Sequence, residues 1–89
     1  MNRYDIEPEP EAESQLAAIW ASAGLLRPAV TRAQDSAERK LANDPAGFGR
    51  HLGEGLYRLD APPLVIYYSI HPDERVVTIS EIHLLPAVQ

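Results

Sequence analysis

The run Leu64-Val65-Ile66-Tyr67-Tyr68-Ser69-Ile70 constrains the fold more than any other part of this chain. Successive residues of a strand point to opposite faces of a sheet, and here both sets are largely apolar or aromatic. Such a strand has no face suited to water, so it reads as the central strand of a sheet. The sequence on either side supplies neighbours for it. Before it, Gly55 to Asp60 reads as a strand that Ala61-Pro62-Pro63 breaks. After it, His71-Pro72-Asp73-Glu74-Arg75 reads as a turn with proline at a favoured position, and Val76 to Leu84 is the last strand.

The first half of the chain has a different period. Tyr4-Asp5-Ile6-Glu7 alternates as a half-buried strand does, and Pro8 and Pro10 stop it, because proline cannot donate to a ladder. Pro10 suits the start of a helix, and Glu11 and Glu13 then fall in the first turn, where the helix dipole favours acids. Ala12, Leu16, Ile19, Trp20 and Ala23 recur at helical spacing, which assigns Trp20 to the core, and Gly24 is a natural stop. Pro28 opens a second helix with the stripe Val30, Ala33, Ala37 and Leu41 on one side and Arg32, Asp35, Glu38, Arg39 and Lys40 on the other. Asn43-Asp44-Pro45 ends it, since the residue before proline avoids the helical region. So short a connection predicts an antiparallel helical hairpin. The stretch GFGRHLGEG, from Gly47 to Gly55, reads as irregular. The order is β-α-α-β-β-β, an α+β fold in which a helical hairpin packs on a small antiparallel sheet, as one domain over residues 1–89.

Composition narrows the chemistry. The absence of cysteine excludes disulfides, thiolate catalysis and Cys-ligated zinc. A net charge of −5 argues against non-specific nucleic-acid binding, which depends on Lys and Arg neutralising phosphates. No apolar run approaches the ~20 residues of a membrane span. The acidic, proline-containing opening does not read as a signal peptide, and a cytoplasmic chain is the simplest reading.

The glycine-marked stretch follows a helix and leads into a strand, the reverse of a phosphate loop. Glu81 and His83 share a strand face, but two ligands with His51 in a loop do not make a metal centre, so no metal and no cofactor is expected. Arg50, His51, Arg58, Tyr67, Tyr68, His71, Arg75 and His83 all fall in the sheet half. Arginine can grip phosphate and histidine can transfer protons near neutrality, if such groups converge. Read one by one, the tyrosines are packing residues and the arginines are solvated.

Taken in order, PEAESQLAAIWASA, PAVTRAQDSAERKLANDP, LGEGLYRL, PLVIYYSI and RVVTISEIHLL resemble the RelE/ParE toxin superfamily over nearly the whole chain. The resemblance implies a type II toxin–antitoxin module, in which a small antitoxin wraps and silences a cytoplasmic toxin. One branch of that superfamily cleaves messenger RNA on the ribosome without a metal, and another poisons DNA gyrase. Against the cleaving branch, Val65 stands in place of a central-strand arginine, and Leu84 or Leu85 in place of an arginine after the last strand. Carried over residue by residue, the resemblance leaves His83 as the candidate proton-transfer residue and Arg58 as the candidate phosphate contact. Two classes of function follow: a toxin silenced by an antitoxin, or a catalytically inactive toxin-like fold serving as a binding or regulatory module, in either case able to pair with a second copy.

Overall fold

The computed structural model describes residues 3–85. The elements run β1 (Asp5–Pro8), α1 (Pro10–Ser22), a single 3-10 turn (Gly24–Leu26), α2 (Arg27–Asn43), α3 (Pro45–Phe48), β2 (Arg50–Gly53), β3 (Leu56–Ala61), β4 (Leu64–His71) and β5 (Val76–Leu84). Five strands form one sheet in the order β1-β5-β4-β3-β2. The fold is α+β, with the helical hairpin on one face of the sheet.

Two details of the strand arrangement differ from the sequence expectation. The sheet is mixed: β1 lies parallel to β5, while the other neighbours are antiparallel. The glycine-marked stretch is also less irregular than its composition suggests. It holds the short helix α3, where the Asp44 side chain accepts the Gly47 N–H at 3.0 Å, and the edge strand β2. Glu54 and Gly55, both at positive φ, then turn β2 into β3.

The core forms where the helix-side residues of β4 meet their neighbours. Leu64, Ile66 and Tyr68 pair across with Ala61, Leu59 and Tyr57 of β3, and Ile66, Tyr68 and Ile70 with Ile82, Ile79 and Val77 of β5. Val30, Ala33, Ala37 and Leu41 of α2 are buried against this surface, as their spacing predicts. Tyr68 carries a polar atom into the core and donates its hydroxyl to the Pro45 carbonyl at 2.5 Å. A bulge between Tyr67 and Tyr68 in the β4–β5 pairing leaves Ser80 of β5 opposite no residue. Beyond it the Ile82 N–H donates to Gln15 Oε1 of α1 at 2.7 Å.

The tryptophan does not follow its stripe. Within α1 only Ala12 is buried; Leu16 and Ile19 are half-buried, and Trp20 is 45% exposed. The reason lies in where the helices rest. α1 packs chiefly on β5, and α2 on β3, β1 and β4, so they straddle the sheet rather than close over Trp20. The indole is covered from outside instead. The Arg27 guanidinium lies 4.1 Å from its ring centroid and donates to the carbonyls of Trp20 and Ala21, at 2.9 and 3.2 Å. Both carbonyls lie in the last turn of α1, where helical donors run out, although the Trp20 carbonyl also accepts the Ala23 N–H at 3.3 Å.

Candidate functional site

The face of the sheet away from the helices gathers Arg58, Tyr67 and His83 into one patch. Register alone places them. Arg58 of β3 is directly opposite Tyr67 of β4, which is opposite Glu81 of β5. One step along, Asp60, Val65 and His83 form the next row. Directly opposed residues project to the same face. Arg58 and His83 therefore share a face on either side of Tyr67, two strands across and two residues along, about 12 Å apart. The Arg58 guanidinium lies 5.9 Å from the Tyr67 ring centroid, and the His83 ring meets the same tyrosine edge-on at 6.1 Å.

Each candidate is also held by an acid on its own strand. Arg58 Nε donates to Asp60 Oδ1 at 2.7 Å, and His83 Nε2 lies 2.7 Å from Glu81 Oε1. The hydrogen bond to Asp60 raises the Arg58 pKa above its ordinary value. An incoming phosphate would have to displace one carboxylate and face the other. Arg50, opposite Arg58 on the edge strand β2, is exposed and makes no ion pair among the described residues. Val65 is buried in the middle of the patch and leaves its centre without charge.

The other sequence candidates separate. His51 pairs with Tyr57 on the helix side, their ring centroids 4.9 Å apart, and Tyr57 stacks on Tyr68. Arg75 sits in the β4–β5 turn at positive φ, 5.9 Å from the Tyr4 ring. His71 pairs with Val76 and His83 with Val65, at opposite ends of the β4–β5 ladder. Among the described residues no group of three or more His, Cys, Asp or Glu is placed to hold a metal ion. No described helix is long and apolar enough to cross a membrane.

A second feature was not legible in any motif. Between α1 and α2 lies a groove of about 410 Å³. Leu16, Ala17 and Trp20 line one wall, Gln34 and Ala37 the other, and Ile66, Ile79 and Ile82 the floor. The signal in the sequence was Trp20 itself, a large side chain on a helix whose other stripe residues are small or medium. At the α1–α2 turn, Leu25 is 99% exposed and Leu26 is also exposed.

No family model matches the sequence, and no curated protein matches it. Solved structures do match the fold. A chain of the RelBE2 toxin–antitoxin complex from Mycobacterium tuberculosis superposes with a TM-score of 0.77 at 15% identity, covering 92% of this chain and 98% of that one. A chain of the chromosomal ParDE system from P. aeruginosa gives 0.70 at 18% identity, with 97% and 100% covered. A chain of the archaeal RelE–RelB complex from Pyrococcus horikoshii gives 0.69 at 17% identity, with 99% and 100% covered. The chain has the RelE/ParE-like toxin fold, and RelE-named and ParE-named structures resemble it to a similar degree.

Proposed function

We propose that this chain, one domain across residues 1–89, is the toxin-like half of a toxin–antitoxin pair, and that a small antitoxin neutralises it by seating an apolar segment between α1 and α2. The groove carries this reading, on a fold shared with chains solved in toxin–antitoxin complexes. A chain this small has little core to spare. It nevertheless leaves Trp20, Leu25 and Leu26 exposed and the sheet residues Ile66 and Ile79 lining an open groove. Exposed apolar surface of this kind marks a partner site, and a trough between two helices suits an amphipathic segment. The cellular target in this reading is the ribosome with its messenger RNA, or DNA gyrase, and the setting is the cytoplasm.

The test is growth of a bacterial host when the chain is induced alone, and again together with each reading frame adjacent to its own. The expected result is arrest alone and recovery with one neighbour. Unimpeded growth alone, with a neighbour still bound in a pull-down, would instead make the chain a binding or regulatory module on the same fold.

A second reading rests on the open-face patch, where Arg58, Tyr67 and His83 meet. In RNA cleavage His83 would move the proton and Arg58 would contact the scissile phosphate. The two carboxylates at 2.7 Å argue against it, because they occupy the donors and oppose the approach of a phosphate. The expected outcome of a ribosome-based cleavage assay is no cutting. Robust cutting that disappears in His83→Ala would establish the catalytic reading instead.

A further inference from the structure

The groove between α1 and α2 joins an apolar floor to a rim of one charge. Leu64, Ile66, Ile79 and Ile82 form the floor, all buried within the sheet. Among the described residues, the ionisable groups lining it are Glu13 of α1 and Glu38 of α2. Both are exposed, and neither makes an ion pair among the described residues. Glu38 receives only a long hydrogen bond, from Gln34 Nε2 at 3.4 Å. Glu9 and Glu11 add two more exposed carboxylates at the start of α1. Arg27, at the wall formed by Trp20, has its guanidinium occupied by the Trp20 and Ala21 carbonyls.

Resting on the docking reading above, we propose that the occupant of this groove is an amphipathic segment of a partner chain whose apolar stripe is flanked by Lys or Arg. The floor requires apolar side chains at helical spacing. Unneutralised carboxylates on both walls require cations beside that stripe, because an acidic flank would set like charges against Glu13 and Glu38 at close range. The whole chain carries −5, so it attracts a basic segment and repels an acidic one before contact. The same charge argues against a second copy as occupant, since a copy brings its own −5 and its own acidic first turn. The partner is therefore basic where it touches this chain.

A display library of helical segments tests this, each about five turns long, with Leu or Ile fixed on one stripe and Lys, Glu or Ser allowed beside it. It is selected on the parent chain and, in parallel, on Ala17→Arg, which fills the groove from an exposed position of α1. Trp20 is the single tryptophan, so its emission reports occupancy directly. The expected result is enrichment of Lys flanks on the parent only. A selected segment should shift Trp20 emission and lose about tenfold in affinity against the Glu13→Gln/Glu38→Gln double variant, with a weaker salt dependence there. Enrichment of Glu or Ser flanks would overturn the charge proposal and leave the docking reading standing. Equal enrichment on Ala17→Arg, or none on either, would overturn both. A concentration-dependent dimer of the chain alone that alters Trp20 emission would place a second copy in the groove and overturn the proposal.

Discussion

Gly49 carries no side chain because Tyr68 occupies the space one would need. A Cβ built there would lie 1.6 Å from the Tyr68 hydroxyl oxygen, which donates to the Pro45 carbonyl. Gly49→Ala must push the phenol out of the core, and overpacking of that kind costs about 1–3 kcal/mol. Tyr68→Phe removes the hydrogen bond and leaves a buried carbonyl unpaired, at about 1–2 kcal/mol. Because both changes act on one contact, denaturant titration of the double variant should give a loss smaller than the sum of the singles. Burial pushes the Tyr68 pKa up from 10.0 to about 12, so the folded chain holds the phenol proton more tightly than the unfolded one. Its contribution is complete below about pH 10 and declines as pH rises from 10 towards 12. Tyr68→Phe should flatten that decline in thermal melts. Trp20 is a contrasting case. A buried tryptophan replaced by alanine costs about 3–5 kcal/mol; Trp20, 45% exposed beneath Arg27, should cost only about 1 kcal/mol, and a melting temperature that collapses in Trp20→Ala would show that α1 packs otherwise.

Among the elements, α1 is held to the sheet by Ala12, Leu16 and Ile19 packed on the core and by one specific bond. Only its Ala12 is buried, but Gln15 Oε1 accepts the Ile82 N–H just beyond the bulge of β5. Gln15→Ala leaves that half-buried donor unpaired and should destabilise the chain by about 1–2 kcal/mol. Faster hydrogen exchange confined to α1 and the end of β5 is the corresponding signature. The same elements show how far sequence reaches. The buried stripe of α2 and the central position of β4 were legible because each pattern repeats for several turns or residues. α3 and β2, four residues each, were hidden among glycines, since such short elements give periodicity too little to act on. The parallel pairing of β1 with β5 is a long-range choice that alternation cannot encode. Trp20 was misplaced because a helical stripe reveals which residues share a face and not whether anything closes over them. On the open face, Arg58 and His83 were singled out through the resemblance alone; the shared strand face of Glu81 and His83 was legible, but the pairing of Arg58 with Asp60 was not drawn from the sequence.

For the molecule as a whole, two surfaces compete to explain a toxin-like fold. The open face of the sheet brings Arg58, Tyr67 and His83 together but balances them with Asp60 and Glu81 in a chain of net charge −5. The groove between α1 and α2 is apolar at its floor, acidic at its rim and bordered by the exposed Trp20. In this account the groove is where the partner acts, and the most direct measurement is rescue of growth through it. A host arrested by the parent chain should recover when the cognate neighbour is co-expressed. The same host arrested by Ala17→Arg should stay arrested, because the filled groove no longer admits the partner while the rest of the fold is untouched. Equal rescue of parent and variant, with both chains folded at the same level, would contradict the account and move the partner to another face.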